Sequence, residues 1–210
     1  MREARLLAAC FRLRMDPVAL AEARDILAGP LDGEVLIGMA GPARLEPLLH
    51  WHALPWPPAL GERLRRAYLR SSAKAEAQAR IERSLLGALG ASGVRTLLLK
   101  GASLRREFYP DPALRPMADL DLWVHPADLP KADRAAAGLG LRRRDPDGAW
   151  EAMRRFGTEA VYLDPDGLLV EFHWGLHQYE RCRGVLDLSP ERIWAESRPA
   201  SGVPSARLLP

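Results

Sequence analysis

The hydrophobic pattern of this chain changes period once, near Gly93, and that change limits what can form on either side of it. Before it, apolar residues recur at helical spacing. Leu6, Leu7, Cys10 and Phe11, with Leu13 or Arg14, share one face at i, i+3, i+4 and i+7. Asp16-Pro17 predicts a helix start, with Asp as the cap and Pro at the first helical position. Gly29-Pro30 predicts its stop. A looser stretch rich in Pro and Trp, 47–58, precedes a long helical pattern from about Ala59 to Ala91.

After Gly93 the apolar residues come in short runs. Val94 to Leu99 reads as a buried strand, Gly101 to Phe108 as a helix, and Tyr109 to Met117, with three prolines, as a loop. Leu120, Leu122 and Val124 alternate with Asp119, Asp121 and Trp123 in a second strand. A helix near 128–138, a short strand near Leu141 and a helix near 149–155 follow. Asp164-Pro165-Asp166-Gly167 then marks a turn between Glu159–Leu163 and Leu168–Trp174, which reads as a hairpin. The expected organisation is a helical domain over 1–92 and an αβ domain over 93–210, an α+β chain with a mixed sheet flanked by helices. The last residues, 203–209, read as the start of an element that Pro210 stops, which points to a truncated longer parent.

The segment with most chemistry in it is Asp119-Leu120-Asp121. On a strand the two aspartates share a face and the leucines between and after them face the core. Adjacent carboxylates repel and raise each other's proton affinity unless a cation lies between them, and such oxygen donors suit Mg²⁺ or Mn²⁺. A bare D-x-D also occurs as a solvated strand face, so its surroundings matter. Upstream, Leu97-Leu98-Leu99-Lys100-Gly101-Ala102-Ser103 is a strand that breaks at a glycine and opens a helix, a geometry that presents backbone N–H groups to a phosphate. Ser103 adds a hydroxyl and Lys100 a positive charge. Downstream, Glu171 and His173 share one face of a strand whose other face carries Val170, Phe172 and Trp174. A third carboxylate beside the pair would complete a two-metal site for in-line displacement.

Strand, Gly-Ala-Ser turn, helix and Asp-Leu-Asp together resemble the signature of the DNA polymerase β-type nucleotidyltransferase superfamily. More narrowly, Leu99-Lys100-Gly101, Tyr109-Pro110, Leu114 to Val124 and Glu171-Phe172-His173-Trp174 resemble an uncharacterised bacterial nucleotidyltransferase family, the NTP-transferase-5 group. The resemblance implies a nucleotidyltransferase fold and transfer of a nucleotidyl group from an NTP, ATP foremost, to a hydroxyl acceptor on RNA, protein or a small molecule. It makes Asp119, Asp121 and Glu171 the metal ligands and catalytic carboxylates, with Glu171 as general base. Lys100, Gly101, Ser103, Arg115 and His173 are then substrate contacts. Arg115 would clamp the triphosphate or pair with Asp119 or Asp111. Two features depart from the superfamily pattern. Ala102 stands where a second Gly or Ser is usual, and the gap from the turn to Asp119 is longer.

Composition narrows the classes further. Cys10 and Cys182 are the only cysteines, too few and too far apart for a disulfide scaffold or a zinc ribbon, and they fit a reducing cytoplasm. No apolar run approaches the roughly 18–20 residues that span a bilayer, so no membrane partner is expected. Lys+Arg total 30, with Lys74, Lys100 and Lys131 the only lysines, yet the net charge of +3 does not by itself argue for nucleic acid. Arg142-Arg143-Arg144 and Arg154-Arg155 would suit an RNA backbone or a triphosphate, or form solvated faces. His173 and His177 are spaced as a weak zinc pair, and Trp51 and Trp56 as packing residues. Among rival readings, a glycosyltransferase expects a βαβ nucleotide-binding region before its D-x-D. A haloacid-dehalogenase phosphatase expects D-x-D-x-T, where this chain has Trp123-Val124 after Asp121. A catalytically silent nucleotide-binding module of the same fold is the alternative from a different class.

Overall fold

A computed structural model describes residues 2–175, 188–200 and 203–209. His177 and Cys182 lie outside the described residues, and the proposed zinc pair with them. The chain forms two compact units, Met1–Ala77 with Tyr109–Pro116, and Gln78–Phe108 with Met117–Pro210.

The first unit is helical: α1 (Arg2–Cys10), α2 (Pro17–Leu27), α3 (Gly33–Ala40), α4 (Glu46–Trp51) and the first part of α5 (Pro58–Ala91). Asp16 caps α2 as expected, its Oδ1 accepting from the Ala19 N–H at 2.8 Å with Pro17 at the first helical position. Asp32 caps α3 the same way, accepting from Glu34 and Val35. Leu6, Cys10, Ala23, Leu36, Leu49 and Leu64 form the core of this unit. The face of α1 does not continue through Phe11. The Arg12 N–H turns back to the Cys10 carbonyl, the helix ends, and Phe11 is left 65% exposed. Trp56 packs against the helical core, whereas Trp51 is 41% exposed. The Pro-rich loop 109–116 belongs to this unit. The Tyr68 hydroxyl donates to Asp111 and the Ser71 hydroxyl to the Ala113 carbonyl.

The second unit holds a mixed sheet of seven strands among the described residues, in the order β3-β4-β5-β2-β1-β7-β6. These are β1 (Thr96–Leu98), β2 (Asp119–Val124), β3 (Arg142–Arg143), β4 (Glu159–Leu163), β5 (Leu169–His173), β6 (Arg198–Ala200) and β7 (Val203–Leu208). Helices α6 (Lys100–Phe108), α7 (Leu129–Gly138), α8 (Trp150–Phe156) and α9 (Pro190–Glu196) complete it. β4 and β5 are the expected hairpin, closed by Gly167 in a positive-φ conformation and by the Asp164 carboxylate accepting from the Leu168 N–H. β5 then runs parallel to β2, and β1 antiparallel to it.

β2 is buried on both faces, and the two faces differ. Leu120, Leu122 and Val124 pack with Leu98, Val170, Phe172 and Tyr162 under Leu85, Leu86 and Leu89 of α5 and Ala132 and Ala136 of α7. On the opposite face Trp123 packs with Leu97, Leu99 and Ile193 of α9. This seven-stranded sheet flanked by helices, with helices leading the chain, is the α+β fold expected from the pattern. Among the described residues no helix is long and apolar enough to cross a membrane.

Candidate active site

The parallel register of β2 and β5 sets Asp121 opposite Glu171 and Trp123 opposite His173. Because side chains alternate along a strand, Asp119, Asp121, Glu171 and His173 all lie on the face away from the main core. An oxygen of Asp121, an oxygen of Glu171 and a ring nitrogen of His173 fall within 4.8 Å of one another. Asp121 is buried, 3% exposed, while Asp119 and Glu171 are half-buried.

Hydrogen bonds hold this cluster tightly. His173 Nε2 lies 2.8 Å from Asp121 Oδ1 and 3.4 Å from Glu171 Oε2. Its Nδ1 faces Glu159 Oε2 at 3.2 Å, so the imidazole is held between carboxylates at both nitrogens. Lys100 Nζ donates to Asp121 Oδ1 at 2.6 Å. Glu159 is a site residue that sequence reasoning missed. It opens β4, directly opposite His173 in the antiparallel register, and a lone carboxylate at a strand start carries no spacing signal.

The electrostatics follow from these contacts. Burial pushes the Asp121 carboxyl up, but hydrogen bonds from His173 and Lys100 outweigh it and hold it below its ordinary value. In Glu171, burial first and then the Asp121 and Asp119 charges outweigh the His173 charge and raise the carboxyl above its ordinary value. Burial pulls the Lys100 ammonium down, yet its bond to Asp121 and the charges of Asp121, Glu171 and Asp119 leave it raised. The cluster therefore has more negative charge than it can settle by itself.

The strand-to-helix turn after β1 is built against this face. The Leu99 N–H donates to the Asp121 carbonyl at 3.1 Å, and the chain enters α6 with Lys100 at φ 44, a left-handed conformation. A Cβ at Gly101 would lie 2.6 Å from Met117 Sδ and 2.9 Å from its Cγ, so any larger residue there must displace the buried Met117 side chain. Gln78 of α5 donates to the Met117 carbonyl and accepts from buried Arg105 of α6, which fastens the entry to β2 against both helices. Ser103 sits half-buried in the first turn of α6, its N–H on the Leu99 carbonyl. Arg115 belongs to the helical unit, at the end of a short turn capped by Asp111, where its guanidinium donates to the Pro116 carbonyl at 3.3 Å.

Arg143 pairs with Asp133 and stacks 4.4 Å over Trp150, opposite Tyr162 on the core face. Arg154 pairs with Glu151. Along β2 the acidic face continues to Trp123 and His125. His125 Nδ1 accepts from the Ala127 N–H, which puts the neutral ring's proton on Nε2. That Nε2, 3.7 Å from Glu191 Oε1, and the Trp123 Nε1 are buried without a hydrogen-bond partner among the described residues.

β2 thus carries the D-x-D pair, its parallel neighbour β5 brings Glu171 into register with Asp121, and the turn after β1 is bonded to β2 through the Leu99 N–H. A family model described as an uncharacterised nucleotidyltransferase matches residues 31–209. The chain belongs to that family. The match takes in the whole described sheet and the helices from α3 onward, while α1 and α2 precede it. No curated protein and no solved structure matches the chain.

Proposed function

We propose that this nucleotidyltransferase-family chain transfers a nucleotidyl group from an NTP, with ATP the expected donor, to a hydroxyl acceptor. The observation that carries the reading is the convergence of Asp121, Glu171 and His173 on one buried sheet face, with Asp119 two residues along the same strand. Oxygen donors at this spacing, in a cluster with unsettled negative charge, fit a hard divalent cation. Asp119, Asp121 and Glu171 would hold Mg²⁺ or Mn²⁺, which when bound neutralises triphosphate charge and polarises the reacting phosphate.

The chain's own residues supply the rest. His173, fixed by Glu159, orients Asp121. Lys100, the N–H groups at the Gly101 turn and the Ser103 hydroxyl contact phosphate oxygens at the start of α6. Glu171, whose proton affinity is raised, takes the acceptor's proton. The acceptor oxygen then bonds to the α-phosphorus as the bond to the pyrophosphate oxygen breaks, and pyrophosphate leaves. Holding the reactants in line supplies much of the acceleration. In this reading residues 93–210 carry the chemistry and 1–92 form a helical domain ahead of it.

The test uses NTPs labelled at either the α- or the γ-phosphate, incubated with Mg²⁺ and pools of RNA, protein and small-molecule acceptors. The expected result is α-label on an acceptor with pyrophosphate released, both lost in the Asp119→Ala/Asp121→Ala variant. Transfer of γ-label would contradict the reading. Tight NTP binding without pyrophosphate release would favour the silent binding module.

A further inference from the structure

We propose that Lys100 is an internal stand-in for the site's cation, an ammonium that occupies Asp121 until a divalent ion displaces it and that then turns to the nucleotide's phosphates. The inference rests on the nucleotidyl-transfer reading of the same site and concerns how that site is held before and after loading.

Three observations carry it. First, Asp121 Oδ1 receives two donors, Lys100 Nζ at 2.6 Å and His173 Nε2 at 2.8 Å, and the two are not equally free to leave. The His173 side chain is 6% exposed and its other nitrogen faces Glu159 at 3.2 Å. The Lys100 side chain is 56% exposed on a flexible four-carbon stem, so it alone can swing away without repacking the sheet.

Second, the cluster needs a cation in every state. Asp119, Asp121, Glu171 and Glu159 bring four carboxylates to one face, and mutual repulsion would splay them if nothing positive stood among them. A point-charge ammonium fills that role, and a divalent cation taking the same Asp121 oxygen makes it redundant.

Third, the backbone at Lys100 adopts φ 44, a conformation glycine enters freely and a lysine only at a cost. A non-glycine residue held this way beside a site is a sign that its side chain is needed there. Lys100 is also the first residue of α6, so an ammonium released from Asp121 remains beside the N–H groups at the helix start, where an anion is favoured.

The experiment titrates Mn²⁺ alone into the nucleotide-free full chain, as wild type, Lys100→Met and Asp121→Asn, and then repeats it with Mn²⁺ plus NTP. Displacement predicts shifts of opposite sign for Lys100→Met. Mn²⁺ alone binds about tenfold tighter because its competitor is gone, and Mn²⁺–NTP binds about tenfold weaker because the phosphate contact is gone. Lys100→Gly, which suits the backbone conformation, should shift both affinities in the same directions and guards against a folding artefact. Unchanged or weaker Mn²⁺ binding by Lys100→Met, with binding lost in Asp121→Asn, would overturn the displacement and leave the site reading standing. No Mn²⁺ binding by any folded variant, wild type included, would overturn the site reading and this inference together.

Discussion

On one face of β2 and β5, Leu120, Leu122, Val170 and Phe172 pack into the apolar core. On the other, one residue away along the same strands, Asp119, Asp121, Glu171 and His173 stand together. The backbone is common to both faces, so a one-residue slip in register would exchange them. The apolar face therefore does more than stabilise. By committing Leu120, Leu122 and Phe172 to the core it fixes which way the carboxylates point. The acidic face works in the opposite sense, because its charges strain the unit when no cation offsets them.

Five substitutions would sharpen or break this contrast. On the acidic face the largest effect falls on activity. Asp121→Ala is expected to lower nucleotidyl transfer about a thousandfold, read as pyrophosphate release, while far-UV circular dichroism stays that of a folded chain. On the core face the effect falls on stability. Phe172→Ala removes a fully buried ring and should cost about 3–5 kcal/mol in denaturant unfolding.

At the turn between the faces, Gly101→Ala drives a methyl into Met117 and should cost about 1–3 kcal/mol. Combining it with Met117→Ala should cost less than the sum of the two single changes in the same unfolding assay, because the shortened side chain makes room. Strict additivity would show that the close approach is not what requires glycine there.

The smallest effect has the most telling sign. Glu171 is raised from its ordinary value of 4.5, so the stability it contributes is present below that value and lost as pH rises through the folded pKa. At pH 7 its charge is a cost in the metal-free protein. Glu171→Gln should therefore raise Tm by about 2 °C at pH 7 and give no gain at pH 4. Asp121 runs the other way. Its carboxyl is lowered from 3.8, so its contribution is present above that value and lost as pH falls. A Tm for Glu171→Gln below wild type at pH 7 would mean that the acidic face is not strained.

Much of this contrast can be read in the sequence, because alternation is local. Asp-Leu-Asp-Leu and Val-Glu-Phe-His each assign their own faces, and Asp164–Gly167 marks the hairpin that sets β4 against β5. The family signature likewise names Asp119, Asp121 and Glu171 as its candidate carboxylates. What the sequence leaves open is pairing between strands that no tight turn joins, and the exact register where one does. That Lys100 reaches Asp121 follows from β1 lying antiparallel to β2, and that Glu159 reaches His173 follows from the particular register of the hairpin, which the turn residues alone do not set. Neither pair has a diagnostic spacing. Helix α9 and strand β6 carry no clear periodicity because each is short and half polar, and Phe11 leaves the α1 face that its spacing predicts because one tight turn ends the helix at Cys10.

The central claim is that the acidic face of β2 and β5 binds a nucleotide through a divalent cation. The most direct measurement is calorimetric titration of each NTP with Mg²⁺ or Mn²⁺ into wild type and into Asp119→Ala/Asp121→Ala. The account predicts saturable binding of at least one NTP that needs the metal, is abolished by chelation and is lost in the double variant. NTP binding that survives both chelation and the double substitution, or no binding by a folded wild-type chain, would contradict it.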